Sequence, residues 1–204
     1  MRCRFLLMGL AAAVLAAAPA YAQAQKGKEW VEPPSNLPSA QKGDPTRNLD
    51  FLFEALKIAP DEATAKAIEQ RIWALWFVSQ SDTANLLMTR VRTAIEAKDL
   101  DLALKLLDSL VKIRPDYVEA WNRRATIYFM KNDYGKSLAD IGEVLKREPR
   151  HFGALSGLGL ILQEIGEERR ALEAYRRAIE LYPKMERIPD LVKTLREKVE
   201  GRDI

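Results

Sequence analysis

The stretch 152–183, FGALSGLGLILQEIGEERRALEAYRRAIELYP, changes rhythm once. Leu155, Leu158, Gly159 and Leu162 recur at three- and four-residue spacing, which places them on one face of a helix. Beyond Gly166 the same spacing restarts with Ala171, Tyr175 and Ala178, and Pro183 closes the run. Gly166 stands where a residue tolerant of left-handed backbone angles lets two helices turn tightly. The stretch therefore predicts a helical hairpin. A second copy lies upstream: Trp121, Ala125 and Tyr128, an Asn132-Asp133 turn, then Ser137, Ile141 and Val144 before Pro149. A third holds Leu87, Val91 and Ala94, then Ala103, Leu107 and Leu110 before Pro115. Pro115, Pro149 and Pro183 mark a period of 34 residues. A hairpin repeated at that period cannot bury its apolar faces alone and stacks on its neighbours as a helical solenoid.

This pattern resembles the tetratricopeptide repeat family, in which a 34-residue helix-turn-helix sets large and small apolar residues at fixed offsets before a closing proline. The resemblance divides the chain into repeats 84–117, 118–151 and 152–185, and it implies an all-α, right-handed α-solenoid. Small residues such as Ala125, Gly159, Ala171 and Ala178 fall where paired helices cross, with Trp121, Tyr128 and Tyr175 filling the space beside them. The first repeat is the loosest match, since Val91 and Leu110 exceed the usual small residues. Residues 46–83 predict N-terminal capping helices. Leu49, Leu52, Phe53 and Leu56 form one stripe up to Pro60; Asp61 then caps a longer helix carrying Ile68, Ile72, Leu75 and Trp76, widened by Trp73 and Phe77. Residues 186–204 predict a C-terminal capping helix with Leu191, Val192, Leu195 and Val199 on its buried side.

Residues 1–22 have the form of a secretory signal: Arg2 and Arg4, an apolar run over 5–18, and Ala20-Tyr21-Ala22 as a cleavage site. The run is shorter than the roughly 20 residues of a transmembrane helix, so no stable membrane anchor is expected after cleavage. Cleavage after Ala22 removes Cys3, the single cysteine, and predicts a periplasmic chain starting at Gln23 that is stabilised by packing alone. Taking Arg2 and Arg4 from 32 basic residues leaves 30 against 29 acidic ones, a net charge of +1. With both signs interspersed, the chain lacks the electrostatic footprint of nucleic-acid binding. Residues 23–45 read as a disordered, Pro-rich leader, with Pro33, Pro34, Pro38 and Pro45 opposing helix. Its Trp30 is either a bystander on a tether, with no bearing on stability, or the anchor of a short docking segment.

Catalytic chemistry finds little footing. His151 is the only histidine; it falls between two repeats, reads as a surface residue, and has no Cys or paired carboxylate at ligand spacing. Gly153, Gly157 and Gly159 lie in a helical window with no preceding strand, which excludes a phosphate-binding loop. No enzyme, cofactor or metal is expected. The resemblance instead implies a concave groove lined by the first helix of each repeat. The family's groove positions fall on Asn85, Met88, Arg92 and Glu96; on Glu119, Asn122, Arg123, Thr126 and Phe129; and on Gly153, Ser156, Gly157, Leu160 and Gln163. Amides, arginines and an apolar patch of Met88, Phe129 and Leu160 suit an extended protein segment. Chaperone-binding family members clamp a carboxylate at positions that here hold Met88, Arg92, Arg123, Gly153 and Gly157, a set without a cation in the third repeat. The expected function is a non-enzymatic scaffold or adaptor in the periplasm, binding a protein or peptide partner in envelope assembly or integrity. Two alternatives stand beside it: a holdase-like chaperone or secretion accessory with many clients, and an enzyme or binder of cell-wall fragments.

Overall fold

The computed structural model describes Trp30 and residues 48–201. The signal and the rest of the leader lie outside the described residues. Nine helices follow in order among these: α1 (Leu49–Lys57), α2 (Glu62–Phe77), α3 (Asp82–Glu96), α4 (Leu100–Ile113), α5 (Val118–Met130), α6 (Tyr134–Arg147), α7 (Phe152–Glu164), α8 (Glu168–Leu181) and α9 (Ile188–Val199). No strand occurs among the described residues. No helix there is long and apolar enough to cross a membrane.

The hairpins α3–α4, α5–α6 and α7–α8 carry the repeat in their backbone as well as their side chains. Lys98, Asn132 and Gly166 hold the same left-handed turn position, at φ 59°, 58° and 82°. Asn132 and Gly166 match the turn chemistry expected of them. Lys98 takes the same conformation without the tolerance of Gly or Asn, because the period imposes it. Beside the first two turns, Asp99 and Asp133 cap the second helix, accepting from the amides of Leu102 and Lys136 at 3.0 and 3.2 Å. Asp61 caps α2 as expected, accepting from Thr64 N–H at 2.7 Å.

Helix crossings follow the small-residue positions. A Cβ built on Gly159 would lie 2.6 Å from Cδ1 of Tyr175, so α7 and α8 approach as closely as a bare glycine allows. Tyr175 is fully buried beneath it, its hydroxyl donating to Gln163 Oε1 at 2.9 Å. Trp121 departs from expectation. It is half-buried rather than a core residue, its indole N–H donating to Pro115 O at 3.0 Å, with the Arg124 and Arg147 guanidinium groups each 5.0 Å from its ring centre. The departure is one of degree, since Trp121 still packs against the apolar clusters of two neighbouring hairpins. Arg124 also joins two repeats, bonding Asp140 through both of its oxygens at 2.7 and 2.8 Å and Asp108 at 2.8 Å.

The N-terminal pair sits where a simple end cap would not. Leu52, Phe53, Leu56, Ile72, Trp73 and Trp76 share one core with Phe152, Leu155, Leu172, Tyr175 and Tyr182 of the third hairpin and with Ile188 and Leu195 around α9. The chain thus folds α1 and α2 back over the third repeat instead of sealing the outer side of the first, where Leu86 and Leu102 stay exposed. The aromatic load explains the choice. Trp73 and Trp76 need deep apolar surroundings, and Phe152 supplies them with ring centres at 5.4 and 5.1 Å. Glu69, buried on α2, fixes the register: Trp73 Nε1 and the Tyr182 hydroxyl both donate to it at 3.3 Å, and Lys66 Nζ lies 3.1 Å away.

Candidate functional site

The residues assigned to the groove lie on α3, α5 and α7 and differ widely in exposure. Arg92 and Glu96 are exposed and paired at 3.8 Å. Asn85, Arg123, Phe129 and Gln163 are half-buried. Met88, Glu119, Asn122, Thr126, Gly153, Ser156, Gly157 and Leu160 are buried. Asn85 serves the link from α2, accepting from Ser79 N–H at 2.9 Å and donating to Ser79 O at 3.0 Å. The open apolar patch expected of Met88, Phe129 and Leu160 is therefore absent: Met88 and Leu160 are 6% and 4% exposed. The chain fills much of its own groove.

Two indoles do the filling. Trp73 of α2 lies on Gly153, whose added Cβ would stand 2.9 Å from Trp73 Cη2. One helical turn further along α7, Trp30 lies on Gly157 in the same manner. A Cβ there would stand 2.5 Å from Cζ2 and Cζ3 of Trp30. Trp30 is only 6% exposed, packs against Phe129 with ring centres 5.5 Å apart, and joins the apolar cluster of Ala125, Ala154 and Ile161. This corrects the expectation that Trp30 is irrelevant to stability. The glycines at i and i+4 are the sequence signal for both seats: a helix lacking two side chains on one face admits two flat rings.

His151 corrects a second expectation, because it is fully buried. Its Nδ1 accepts from the Ala154 amide at 3.0 Å and caps α7, so Nε2 carries the hydrogen and donates to Glu119 Oε1 at 2.7 Å. Its ring stacks on Trp76 at 4.1 Å and meets Trp73 edge-on at 5.4 Å. Glu119, also fully buried, accepts from Asn122 Nδ2 at 3.3 Å and has Arg123 Nε at 3.9 Å. Arg123 in turn lies 5.1 Å over the Phe77 ring, and the Tyr117 hydroxyl donates to Phe77 O at 2.6 Å. Arg123 thus meets α2 through Phe77, while Glu119 ties α5 to His151 at the start of α7. Their residue types carried no signal of that role, since a partner 32 positions away decides it.

Four buried side-chain polar atoms lack a hydrogen-bond partner among the described residues: Trp30 Nε1, Trp76 Nε1, Asn122 Oδ1 and Ser156 Oγ. No group of His, Cys, Asp and Glu among the described residues is arranged to hold a metal ion.

Three stacked hairpins with a common left-handed turn, and an inner face that seats side chains from elsewhere in the chain, define a helical-repeat scaffold. The tetratricopeptide repeat model matches residues 88–142 and 131–186. A TPR repeat-containing protein of Rhizobium etli is 43% identical over 157 residues, covering 77% of each chain. This chain belongs to the tetratricopeptide repeat family. Such proteins generally mediate protein–protein interaction and are typically non-enzymatic. Among solved structures, the first TPR domain of Spaghetti (RPAP3), bound to an HSP90 peptide, superposes with a TM-score of 0.56 at 16% identity, over 59% of this chain and 96% of that one. A MamA variant superposes with a TM-score of 0.53 at 16% identity, over 78% and 88%. At these identities the likeness is one of fold.

Proposed function

We propose that this chain is an exported, non-enzymatic adaptor of the bacterial periplasm that holds a segment of a partner protein on its concave face, in envelope assembly or integrity. The observation that carries the binding role is Trp30, a residue outside the helical body whose ring rests on Gly157 against Phe129. A surface that seats one side chain from a separate stretch of chain is shaped to seat another. The peptide held by the RPAP3 domain supports the same use of a related fold. The clamp positions here favour an apolar anchor over a terminal carboxylate, because Gly153 and Gly157 lie beneath rings and Met88 is buried. Export rests on the form of residues 1–22.

The test places a photo-crosslinking residue at Phe129 or Arg92 of the intact exported chain, with Arg177 on α8 as a control, and identifies what is captured in the periplasm. One stoichiometric partner from the concave positions supports the adaptor. A broad spread of clients favours the holdase. Capture only from Arg177, or none, refutes the concave site, and recovery of a chain that retains Cys3 refutes cleaved export.

A further inference from the structure

Trp73 and Trp30 occupy neighbouring seats on α7 but are held in different ways. Trp73 is part of α2, and its indole N–H donates to Glu69. Trp30 comes from outside the helices, and its buried indole N–H has no partner among the described residues. Its ring is held by shape: the Gly157 floor, the tilted Phe129 ring, and the cluster around Ala154 and Ile161. On the same concave face, Asn122 Oδ1 and Ser156 Oγ are buried and also unpartnered. A seat that fits an indole closely yet leaves its N–H unsatisfied is matched to the ring and incompletely matched to its present carrier.

We propose that this seat is a receptor for a tryptophan carried on an extended segment of the partner protein, and that Trp30 is its exchangeable occupant in cis. The partner segment would supply an acceptor for the indole N–H, which Trp30 lacks among the described residues. The inference rests on the adaptor reading and adds the anchor and its regulation. Because Trp30 belongs to the same chain as its seat, the cis occupant competes at an effective concentration on the order of millimolar. A partner must exceed that, so the groove stays closed to weak or casual ligands.

The test uses the full mature chain and a synthetic peptide of residues 26–35, KGKEWVEPPS, titrated by calorimetry. The Trp30→Ala chain is expected to bind it, and wild type to bind about tenfold more weakly or worse, because its seat is filled. The same peptide with Ala for Trp should not bind. Adding Gly157→Leu to Trp30→Ala fills the seat and should abolish binding, whereas Gly142→Leu, at a position with nothing within 4 Å, should leave it intact. If Trp30→Ala does not fold, Trp30→Phe replaces it, with intermediate affinity expected. Failure of the emptied chain to bind, equal binding by wild type, or binding that survives Gly157→Leu overturns the proposal. A dimer in sedimentation that Trp30→Ala dissolves also overturns it, since Trp30 would then sit in a second copy. These outcomes are separable from the crosslinking result: a partner captured at Phe129 by a chain that ignores the peptide leaves the adaptor standing without this anchor. Peptide binding without a captured partner preserves the seat and removes the adaptor.

Discussion

Gly157→Ala should change the sign of its effect with the residue at position 30. In a solvent-facing helix, replacing Gly with Ala stabilises by about 1 kcal/mol, because glycine loses more backbone entropy on folding. At position 157 the new methyl group would meet the Trp30 ring 2.5 Å from Cζ2 and Cζ3, well inside contact distance, so the indole must leave its seat. Truncating a buried tryptophan costs about 3–5 kcal/mol. An unsatisfied indole N–H offsets about 1–3 kcal/mol of that, which leaves Trp30 contributing about 2 kcal/mol. Gly157→Ala alone should therefore destabilise by about 1 kcal/mol, the helix gain of about 1 set against the lost ring of about 2. In a Trp30→Ala chain the same change should stabilise by about 1 kcal/mol, giving a coupling energy of about 2 kcal/mol. Urea unfolding of the four chains, followed by far-ultraviolet circular dichroism, measures the cycle; 1 kcal/mol also shifts Tm by about 2–4 °C at this size. If Gly157→Ala stabilises both backgrounds equally, the ring does not rest on Gly157, and the reasoning about the seat fails with it.

Gly159→Leu places a branched side chain into the fully buried Tyr175 ring and should destabilise by about 3 kcal/mol or more; an unchanged melting curve would mean that α7 and α8 do not cross there. Lys98→Gly relieves a left-handed lysine at φ 59° and should stabilise by about 0.5–1 kcal/mol, whereas Asn132→Gly should gain less; a loss at Lys98 in chemical denaturation would contradict the turn geometry. Burial raises the pKa of Tyr117, Tyr175 and Tyr182 above the usual 10.0, with Glu69 adding to the effect at Tyr182. Their neutral forms are thus favoured in the folded chain, a contribution complete below pH 10 and lost as pH rises through the folded values. Alkaline titration should show the tyrosinate absorbance of these three residues rising together with helix loss above pH 10, and ionisation of more tyrosines than the partly exposed Tyr128 and Tyr134 before helix loss would contradict the burial.

The repeat was legible because it is local. The spacing of Leu155, Leu158, Gly159 and Leu162, the turn at Gly166 and the closing proline all act within one hairpin, where short-range sterics decide the outcome. Gly159 could be assigned to a helix crossing for the same reason. What stayed hidden depends on contacts between distant segments. His151 reads as a surface histidine until α2 brings Trp76 onto its ring and Glu119 comes within 2.7 Å of its Nε2. Trp121 reads as core, and its spacing does not reveal that Arg124 and Arg147 also lie on its ring. The groove positions follow from repeat offset alone, and offset does not reveal that α2 and Trp30 cover several of them. The pair Gly153 and Gly157 did hint at that cover, since two missing side chains on one helical face leave room that something must fill.

The way the groove is filled gives the binding surface a direction. Trp73 lies on Gly153, Trp76 stacks on His151 and Phe77 lies under Arg123, so α2 closes the end of the groove formed by the N-terminal turns of α5 and α7. Exposure rises toward the other end of the same helices: from buried Met88 to exposed Arg92 and Glu96 on α3, from buried Asn122 to half-buried Phe129 on α5, and from buried Ser156 to half-buried Gln163 on α7. Trp30 lies at the boundary between the two regions, touching Gly157 and Phe129. On the proposed reading a partner would meet the C-terminal turns first, where Arg92 and Glu96 form a weak exposed pair that solvent already screens. It can bury further surface only by taking the Trp30 seat, because displacing α2 would break the Glu69 bonds and the Trp73 and Trp76 core together. The closure by α2 thus rests on a shared core and several hydrogen bonds, whereas the closure by Trp30 rests on one ring against Gly157 and Phe129.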